Sequence, residues 1–198
     1  MSEQSRENLI WMDLEMTGLD VDKEVIIEIA TLITDGDLNL VEEGPCIAIH
    51  QNDDILERMD DWNQTHHSAS GLIERVKSSK IELAEAENMT LEFIKKHCPA
   101  KHSPLCGNSV GQDRKFLEKY MRNLSDYLHY RNIDVTSVKE VVNRWYPKGP
   151  KLPRKSEAHQ ALIDIRESLR ELTFYRKHFF IDGELSEGKP ADAKSTES

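Results

Sequence analysis

Two acidic residues, Asp13 and Glu15, form the first group in this sequence that could do chemistry. They close a short apolar run that predicts a β-strand, so their spacing places both side chains on one face. Two carboxylates side by side repel each other unless a proton or a cation lies between them. An oxygen-seeking divalent ion such as Mg²⁺ or Mn²⁺ would relieve that repulsion. The same spacing recurs in polar connectors or on a helix surface, at Asp20/Asp22, Asp35/Asp37 and Glu85/Glu87.

Three further residues complete a possible catalytic set. Asp113 falls in the first turn of a predicted helix, where the helix dipole alone would also favour an acid. His159 and Asp164 lie at the start of the last predicted helix, and the spacing of His129 and Asp134 is the same. Each pattern alone is weak. Four acids from three elements, with a histidine near the last, could together hold two metal ions and deprotonate a water.

The first half of the chain predicts strands that would carry the acid pair. Apolar and β-branched residues dominate Asn8–Glu15, Val25–Thr34 and Pro45–His50, and the connectors between them are short and polar. We therefore expect an antiparallel meander. Leu105–Gly107 and Ile133–Val135 predict two further short strands in the second half.

The second half predicts helices. Ile81–Cys98 has apolar residues at helical spacing, and Ser109 with Gln112 has the form of a capping box that opens another helix. Asp134, which would end a strand, or Thr136 or Ser137 would cap a helix running to Trp145. An apolar stripe predicts a last helix to about Phe180. Three strands followed by alternating helices and short strands predict an α/β fold with a mixed sheet.

Composition limits the classes of protein to which the chain could belong. Its 198 residues include 36 acidic and 26 basic side chains, which gives a formal net charge of −10. Binding of long nucleic acid by a broad basic surface is excluded, because it depends on many phosphate contacts. No apolar run approaches the ~18 residues of a membrane span. The N-terminus also lacks the apolar run of a signal peptide, so we expect neither secretion nor a membrane partner.

The domain organisation expected from the sequence is simple. Residues 1–183 predict a single domain, and the charged and small residues of 184–198 predict a disordered tail. Pro147–Lys155 holds three prolines and four basic residues, so it predicts a loop rather than a helix. The cysteines are scattered and odd in number, which favours free thiols in a reducing cytoplasm over a disulfide framework. They are Cys46, Cys98 and Cys106.

Several stretches resemble the DEDD-type 3′→5′ exonucleases that have a catalytic histidine, and more closely the oligoribonucleases of that group. The most specific are WMDLEMTGLD, at Trp11–Asp20, and GNSVGQDR, at Gly107–Arg114. A third stretch is HQALIDIRESLREL, at His159–Leu172, and the matches together span about Leu9 to Phe180. The resemblance implies a ribonuclease-H-like fold, with a mixed sheet of three antiparallel strands and then short parallel strands, flanked by helices. It also implies two divalent cations per site, Mn²⁺ or Mg²⁺, and a homodimer.

The resemblance assigns catalytic roles residue by residue. The metal-binding carboxylates of the family fall on Asp13, Glu15, Asp113 and Asp164, and its general base falls on His159. The implied activity is hydrolysis of very short RNA, especially dinucleotides, from the 3′ end to nucleoside 5′-monophosphates. A short substrate agrees with the charge of −10, because it carries few phosphates.

A substrate clamp is also implied by the resemblance. Leu19 would wedge against the bases, and Trp62 and His67 would line the base pocket. The 5′ phosphate would be held by Ser109, Arg131 and Thr136, and Tyr130 would reach the site from the partner subunit. Purely structural roles are also open for three of these residues. Leu19 could pack on the core, Trp62 could be an ordinary buried aromatic, and Arg131 could pair with an acid.

Two functions of other kinds remain open at this point. One is a dimeric binding module that sequesters short nucleotides without cutting them. The other is a proofreading exonuclease subunit that acts on DNA within a polymerase assembly. Tight binding without product would favour the first, and cleavage of single-stranded DNA together with a polymerase partner would favour the second.

Overall fold

The computed structural model describes residues 4–152 and 161–180. Within them, five strands form one sheet in the order β3-β2-β1-β4-β5. The strands are β1 (Leu9–Met16), β2 (Ile26–Thr34), β3 (Leu40–Ala48), β4 (Leu105–Gly107) and β5 (Asn132–Asp134). The first three pair antiparallel, whereas β4 pairs parallel with β1 and β5 pairs parallel with β4. The predicted mixed sheet, with its antiparallel meander, is confirmed.

Eight helices surround this sheet in the described residues. They are α1 (Asp53–Leu56), α2 (Asp61–Ala69), α3 (Leu72–Ser78), α4 (Leu83–His97), α5 (Gly111–Tyr120), α6 (Arg122–Tyr127), α7 (Val135–Trp145) and α8 (Ala161–Phe179). No helix in this part of the chain is both long and apolar enough to cross a membrane.

The central strand β1 is covered on both faces, and its alternating side chains serve two different cores. Ile10, Met12 and Leu14 pack with residues of α4, α5 and α6 on one face of the sheet. On the opposite face, Trp11 packs with residues of α7 and α8, among them Ile165. Because side chains alternate along a strand, the next two residues on that face are Asp13 and Glu15. The sheet therefore places the acid pair where the first turn of α8 crosses it.

Close packing fixes the sheet against α4. A side chain on Gly44 of β3 would place its Cβ 2.4 Å from the Phe93 ring of α4, so only glycine fits there. Phe93 in turn is buried in the core that contains the apolar face of β1.

The structure differs from the sequence-based predictions at several elements. Helices α1 to α3, which connect β3 to α4, were not predicted, and β3 begins earlier than Pro45. The capping box was wrong: Ser109 precedes α5 by two residues, and Gln112 donates its side-chain amide to the Leu19 carbonyl instead, at 2.6 Å. Of the possible caps of the helix after β5, Asp134 is confirmed, since it accepts from the backbone N–H groups of Thr136 and Ser137, and those two residues are not the cap.

Some predictions fall outside the described residues. Residues 153–160 include His159 and the end of the Pro147–Lys155 segment, and residues 181–198 include the predicted tail. The single domain over residues 1–183 likewise stays a prediction.

Candidate active site

Three acids from two elements meet at the end of β1. Asp13, Glu15 and Asp164 each offer a carboxylate oxygen, and these oxygens lie within 4.8 Å of one another. Asp164 reaches the pair because it lies in the first turn of α8, one residue before Ile165, which is buried against the same face of the sheet. All three side chains are half-buried. The structure thus brings together three of the four acids that the sequence singled out.

Asp113 lies beside this cluster rather than within it. It is buried in the first turn of α5, and its Oδ1 accepts a hydrogen bond from the Leu14 backbone N–H at 3.0 Å. That bond ties α5 to β1 at the residue between Asp13 and Glu15. The fourth predicted acid is therefore next to the other three, held by the strand that carries two of them.

A further acid, Glu28, was missed by the sequence reasoning. It faces Glu15 across the β1–β2 pair and is 1% exposed. Its carboxylate accepts from Arg75 at 2.8 Å and from the Ala161 backbone N–H, at the start of α8, at 3.4 Å. Glu28 therefore anchors the helix that carries Asp164. The available signal was a single acid inside the apolar run IIEIAT, which a buried strand tolerates only with a partner.

Burial raises the pKa values of Asp13, Glu15 and Asp113, and repulsion from neighbouring carboxylates adds to the rise. Burial, then the charges of Asp113, Glu15 and Asp164, raise the pKa of Asp13 well above its usual value. Burial, then the charges of Asp164, Glu28 and Asp113, raise the pKa of Glu15 to about 8. Burial raises the pKa of Asp113 to about 7, against the hydrogen bond from Leu14. The metal-free cluster therefore holds protons at neutral pH.

This donor set fits divalent metal ions. Carboxylate oxygens are the ligands that Mg²⁺ and Mn²⁺ prefer, and the spacing of 4.8 Å or less lets one ion contact all three acids. Without a cation, the carboxylates reduce their mutual repulsion by binding protons. A bound cation would take the place of those protons.

The acids open onto a cleft of about 260 Å³ that also contains two exposed apolar side chains. Leu19 is 73% exposed and Trp62 is 58% exposed, and both line the cleft with Asp13, Glu15 and Asp164. Because neither side chain packs in the core, the purely structural roles open to Leu19 and Trp62 from the sequence are excluded. His67 lies beneath the cleft: it is buried, and its Nδ1 lies 3.9 Å from Glu15 Oε2.

The remaining predicted substrate residues fall into two groups. Ser109 and Thr136 place their hydroxyl oxygens 3.1 Å apart, although Ser109 lies in the loop after β4 and Thr136 in the first turn of α7. Ser109 has a φ of 53°, a conformation uncommon for residues other than glycine. Arg131 instead donates to the hydroxyl of Tyr130, which is 75% exposed and lines a different cavity. Within one chain, Tyr130 does not reach the cleft.

The sheet topology is that of ribonuclease-H-like exonucleases. Escherichia coli exonuclease I, in a zinc-bound complex with single-stranded DNA, aligns with a TM-score of 0.70 and 13% identity over 88% of this chain and 41% of that chain. Exonuclease I from Methylocaldum szegediense aligns with a TM-score of 0.65 and 16% identity over 86% of this chain and 40% of that chain. This chain thus spans about two fifths of those enzymes, and the likeness shows the fold alone.

Sequence similarity is much closer to a smaller class of exonucleases. The family described as Exonuclease (RNase T) matches residues 10–172. The oligoribonuclease of Shewanella amazonensis is 59% identical over 88% of this chain and 96% of its own length, and that of Shewanella oneidensis is 57% identical over 87% and 96%. The chain therefore belongs to the oligoribonuclease family of exonucleases. The resemblance drawn from the motifs is confirmed, and the protein is a nuclease.

The raised pKa values predict how stability depends on pH. A carboxyl group whose pKa rises on folding stabilises the folded state fully below its unfolded pKa, and that contribution is lost as pH rises through the folded pKa. For Glu15 the window runs from 4.5 to about 8. In chelator, we expect the melting temperature to fall by roughly 5 °C or more from pH 5 to pH 8. Differential scanning fluorimetry measures it.

Two comparisons make this test specific. Glu15→Gln should weaken the fall with pH, whereas Glu85→Gln, at an exposed position on α4, should leave it unchanged. Mn²⁺ should raise the melting temperature more at pH 8 than at pH 5, since the ligands must lose their protons to bind it. A melting temperature that does not fall between pH 5 and pH 8 in chelator would contradict the raised pKa values of the buried carboxylates.

Proposed function

We propose that this enzyme removes nucleoside 5′-monophosphates one at a time from the 3′ end of very short RNA, dinucleotides above all. The observation that carries the proposal is one small cleft in which Asp13, Glu15 and Asp164 face Leu19 and Trp62. The acids supply the chemistry and the apolar side chains supply a surface for bases. The name of its relatives, oligoribonuclease, supports the same substrate class.

The proposed cofactors are two divalent cations per site, Mg²⁺ or Mn²⁺. Asp13, Glu15 and Asp164 would hold one ion between them, and Asp113, next to Asp13, would complete the set for two. When bound, such ions supply positive charge where the attacking and leaving oxygens carry negative charge.

The residues of the chain position and deprotonate the reactants. His159 accepts a proton from the attacking water. The water oxygen then attacks the phosphorus of the 3′-terminal phosphodiester as the bond from that phosphorus to the 3′ oxygen breaks. The leaving 3′ oxygen takes up a proton, and the products are a nucleoside 5′-monophosphate and an oligonucleotide shorter by one. Neutral imidazole is the active form, so the rate falls at low pH.

The clamp around the substrate limits its length. Leu19 wedges against the bases and Trp62 stacks on them, while His67 supports the floor of the cleft beneath Met16, whose carbonyl lies 3.1 Å from the ring. Ser109 and Thr136 bind the 5′ phosphate, and Arg131 joins them when its side chain leaves the Tyr130 hydroxyl, to which it donates in the structure. Because the bases and the terminal phosphate are both held, a dinucleotide satisfies every contact.

A homodimer is part of the proposal, since Tyr130 points away from the cleft of its own chain. Apolar side chains left exposed on α7 and after α8 favour a second copy as the partner. Val141, Trp145, Tyr146 and Phe180 surround an apolar groove of about 310 Å³, and Trp145 is 72% exposed. Exposed aromatic patches of this kind are typical of protein interfaces.

We also propose a cytoplasmic location. The three cysteines are free thiols, two of them buried, as is usual in a reducing compartment.

Cleavage as a function of length tests the proposed function. With Mn²⁺ present, a 5′-labelled RNA dinucleotide should be cut about tenfold faster or more than a 15-mer, because the acidic surface repels additional phosphates. Asp164→Asn should lower kcat roughly a thousandfold, whereas Asp53→Asn, at a surface ion pair with Lys77, should not. Equal cleavage rates for the dinucleotide and the 15-mer would contradict the proposed preference for short RNA. Faster cleavage of DNA would favour a proofreading role, and binding without product would favour the sequestering module.

The role of His159 gives a separate prediction. His159→Ala should fold normally and lose about a hundredfold or more in kcat, since the water then lacks its base. The wild-type rate should fall as pH drops through the imidazole pKa. His102→Ala, which alters an exposed histidine bonded only to the Ala100 carbonyl in the described contacts, is the control. A folded His159→Ala enzyme with full kcat would contradict the role.

The proposed dimer is tested by changing the exposed aromatic patch. Trp145→Glu places a charge in the apolar groove, so it should convert a dimer to a monomer in analytical ultracentrifugation. Met89→Glu, which places the same charge at an exposed apolar position on α4 outside that groove, should leave the dimer intact. A wild-type protein that sediments as a monomer would overturn the dimer.

A further inference from the structure

Asn108 lies at the meeting point of three elements and takes no part in the mechanism proposed above. It follows β4 directly and precedes Ser109. Its Nδ2 donates to Ser168 Oγ at 2.8 Å and to Glu171 Oε2 at 3.3 Å, both on α8. Its Oδ1 accepts from the Thr136 hydroxyl at 3.1 Å, in the first turn of α7.

The partners on α8 fix which way this amide points. Glu171 is 1% exposed and can only accept hydrogen bonds when it is charged, so the amide must turn its NH₂ group toward it. Lys139, at 3.1 Å, and the Tyr175 hydroxyl, at 2.8 Å, hold the other oxygen of the same carboxylate. The Asn108 carbonyl oxygen is thereby left to face Thr136.

The fixed amide also orders the two hydroxyl groups beyond it. Thr136 gives its one proton to Asn108, so the proton between Thr136 and Ser109 comes from Ser109. The Ser109 hydroxyl can therefore turn its hydrogen bond from Thr136 to a phosphate oxygen. The hydrogen bond from Thr136 to Asn108 stays intact when it does so. Asp134 holds the backbone of both residues, accepting from the Ser109 N–H at 3.1 Å and the Thr136 N–H at 2.9 Å.

The same network reaches the acid cluster. Ser168, which accepts from Asn108, donates its own proton to the Asp164 backbone carbonyl at 2.9 Å. Asn108 therefore connects the Ser109–Thr136 pair with the turn of α8 that carries Asp164.

We propose that Asn108 is a positioning residue that holds the Ser109–Thr136 hydroxyl pair in a fixed relation to Asp164, and so sets a preference for substrates with a 5′ phosphate. This rests on the proposed function, in which Ser109 and Thr136 bind that phosphate. Asn108 itself touches neither the phosphate nor the reacting atoms.

Two dinucleotides that differ only in a 5′ phosphate provide the test. Asn108→Leu should raise KM for the phosphorylated dinucleotide about tenfold or more, since a hydrogen bond to a charged group is misplaced. Its kcat, and both constants for the unphosphorylated dinucleotide, should stay within about twofold. Ser168→Ala, a milder change, should raise the same KM by a few fold. Tyr175→Phe, which removes a bond at the far end of the network, should leave the preference unchanged.

Binding separates this inference from the proposed function. The affinities of the two dinucleotides can be measured by calorimetry in an Asp13→Asn background, with and without Asn108→Leu, and no turnover is needed. A wild-type protein that cuts neither dinucleotide refutes the proposed function, while the ratio of affinities still tests Asn108. If neither Asn108→Leu nor Ser168→Ala lowers the preference for the 5′ phosphate, or if both dinucleotides are affected equally, the proposal is wrong.

Discussion

The crowding of carboxylates at the end of one buried strand is the constraint on which the rest of the structure depends. Asp13, Glu15 and Asp164 place oxygens within 4.8 Å of one another, with Asp113 directly beside them. In a partly buried site this repulsion is weakly screened, so the folded chain must hold protons or cations there. An apolar cluster at this place would be more stable. The arrangement is therefore explained by what it binds rather than by what it contributes to stability.

The surrounding elements hold that unfavourable cluster in place. The sheet is packed on both faces, so β1 cannot move to separate Asp13 from Glu15. The start of α8 is fixed by Glu28, which is itself neutralised by Arg75. Asp113 bonds to the backbone of β1. These contacts pre-organise the carboxylates, so that a divalent ion would find them in place with little rearrangement of the protein.

Local sequence patterns predicted the features of the site that follow from the periodicity of one strand or one helix. The alternation in β1 places Asp13 and Glu15 on one face. The apolar stripe predicted α8 itself but not the direction of Asp164, because the buried side of the helix also carries the polar residues Ser168 and Glu171. The short helices α1 to α3 were missed because their few buried residues pack only against tertiary neighbours such as Ile27. The roles of Gln112, Glu28 and Asn108 depend on partners far along the chain, which no spacing rule reveals.

The most direct test of the account is to locate the cations. Crystals grown with Mn²⁺ and a non-hydrolysable 5′-phosphorylated dinucleotide would show manganese by its anomalous scattering. We expect two manganese peaks bounded by Asp13, Glu15, Asp113 and Asp164, with the scissile phosphate against them and the 5′ phosphate at Ser109 and Thr136. Anomalous density elsewhere, with these carboxylates bound to no ion while the dinucleotide is present, would contradict it.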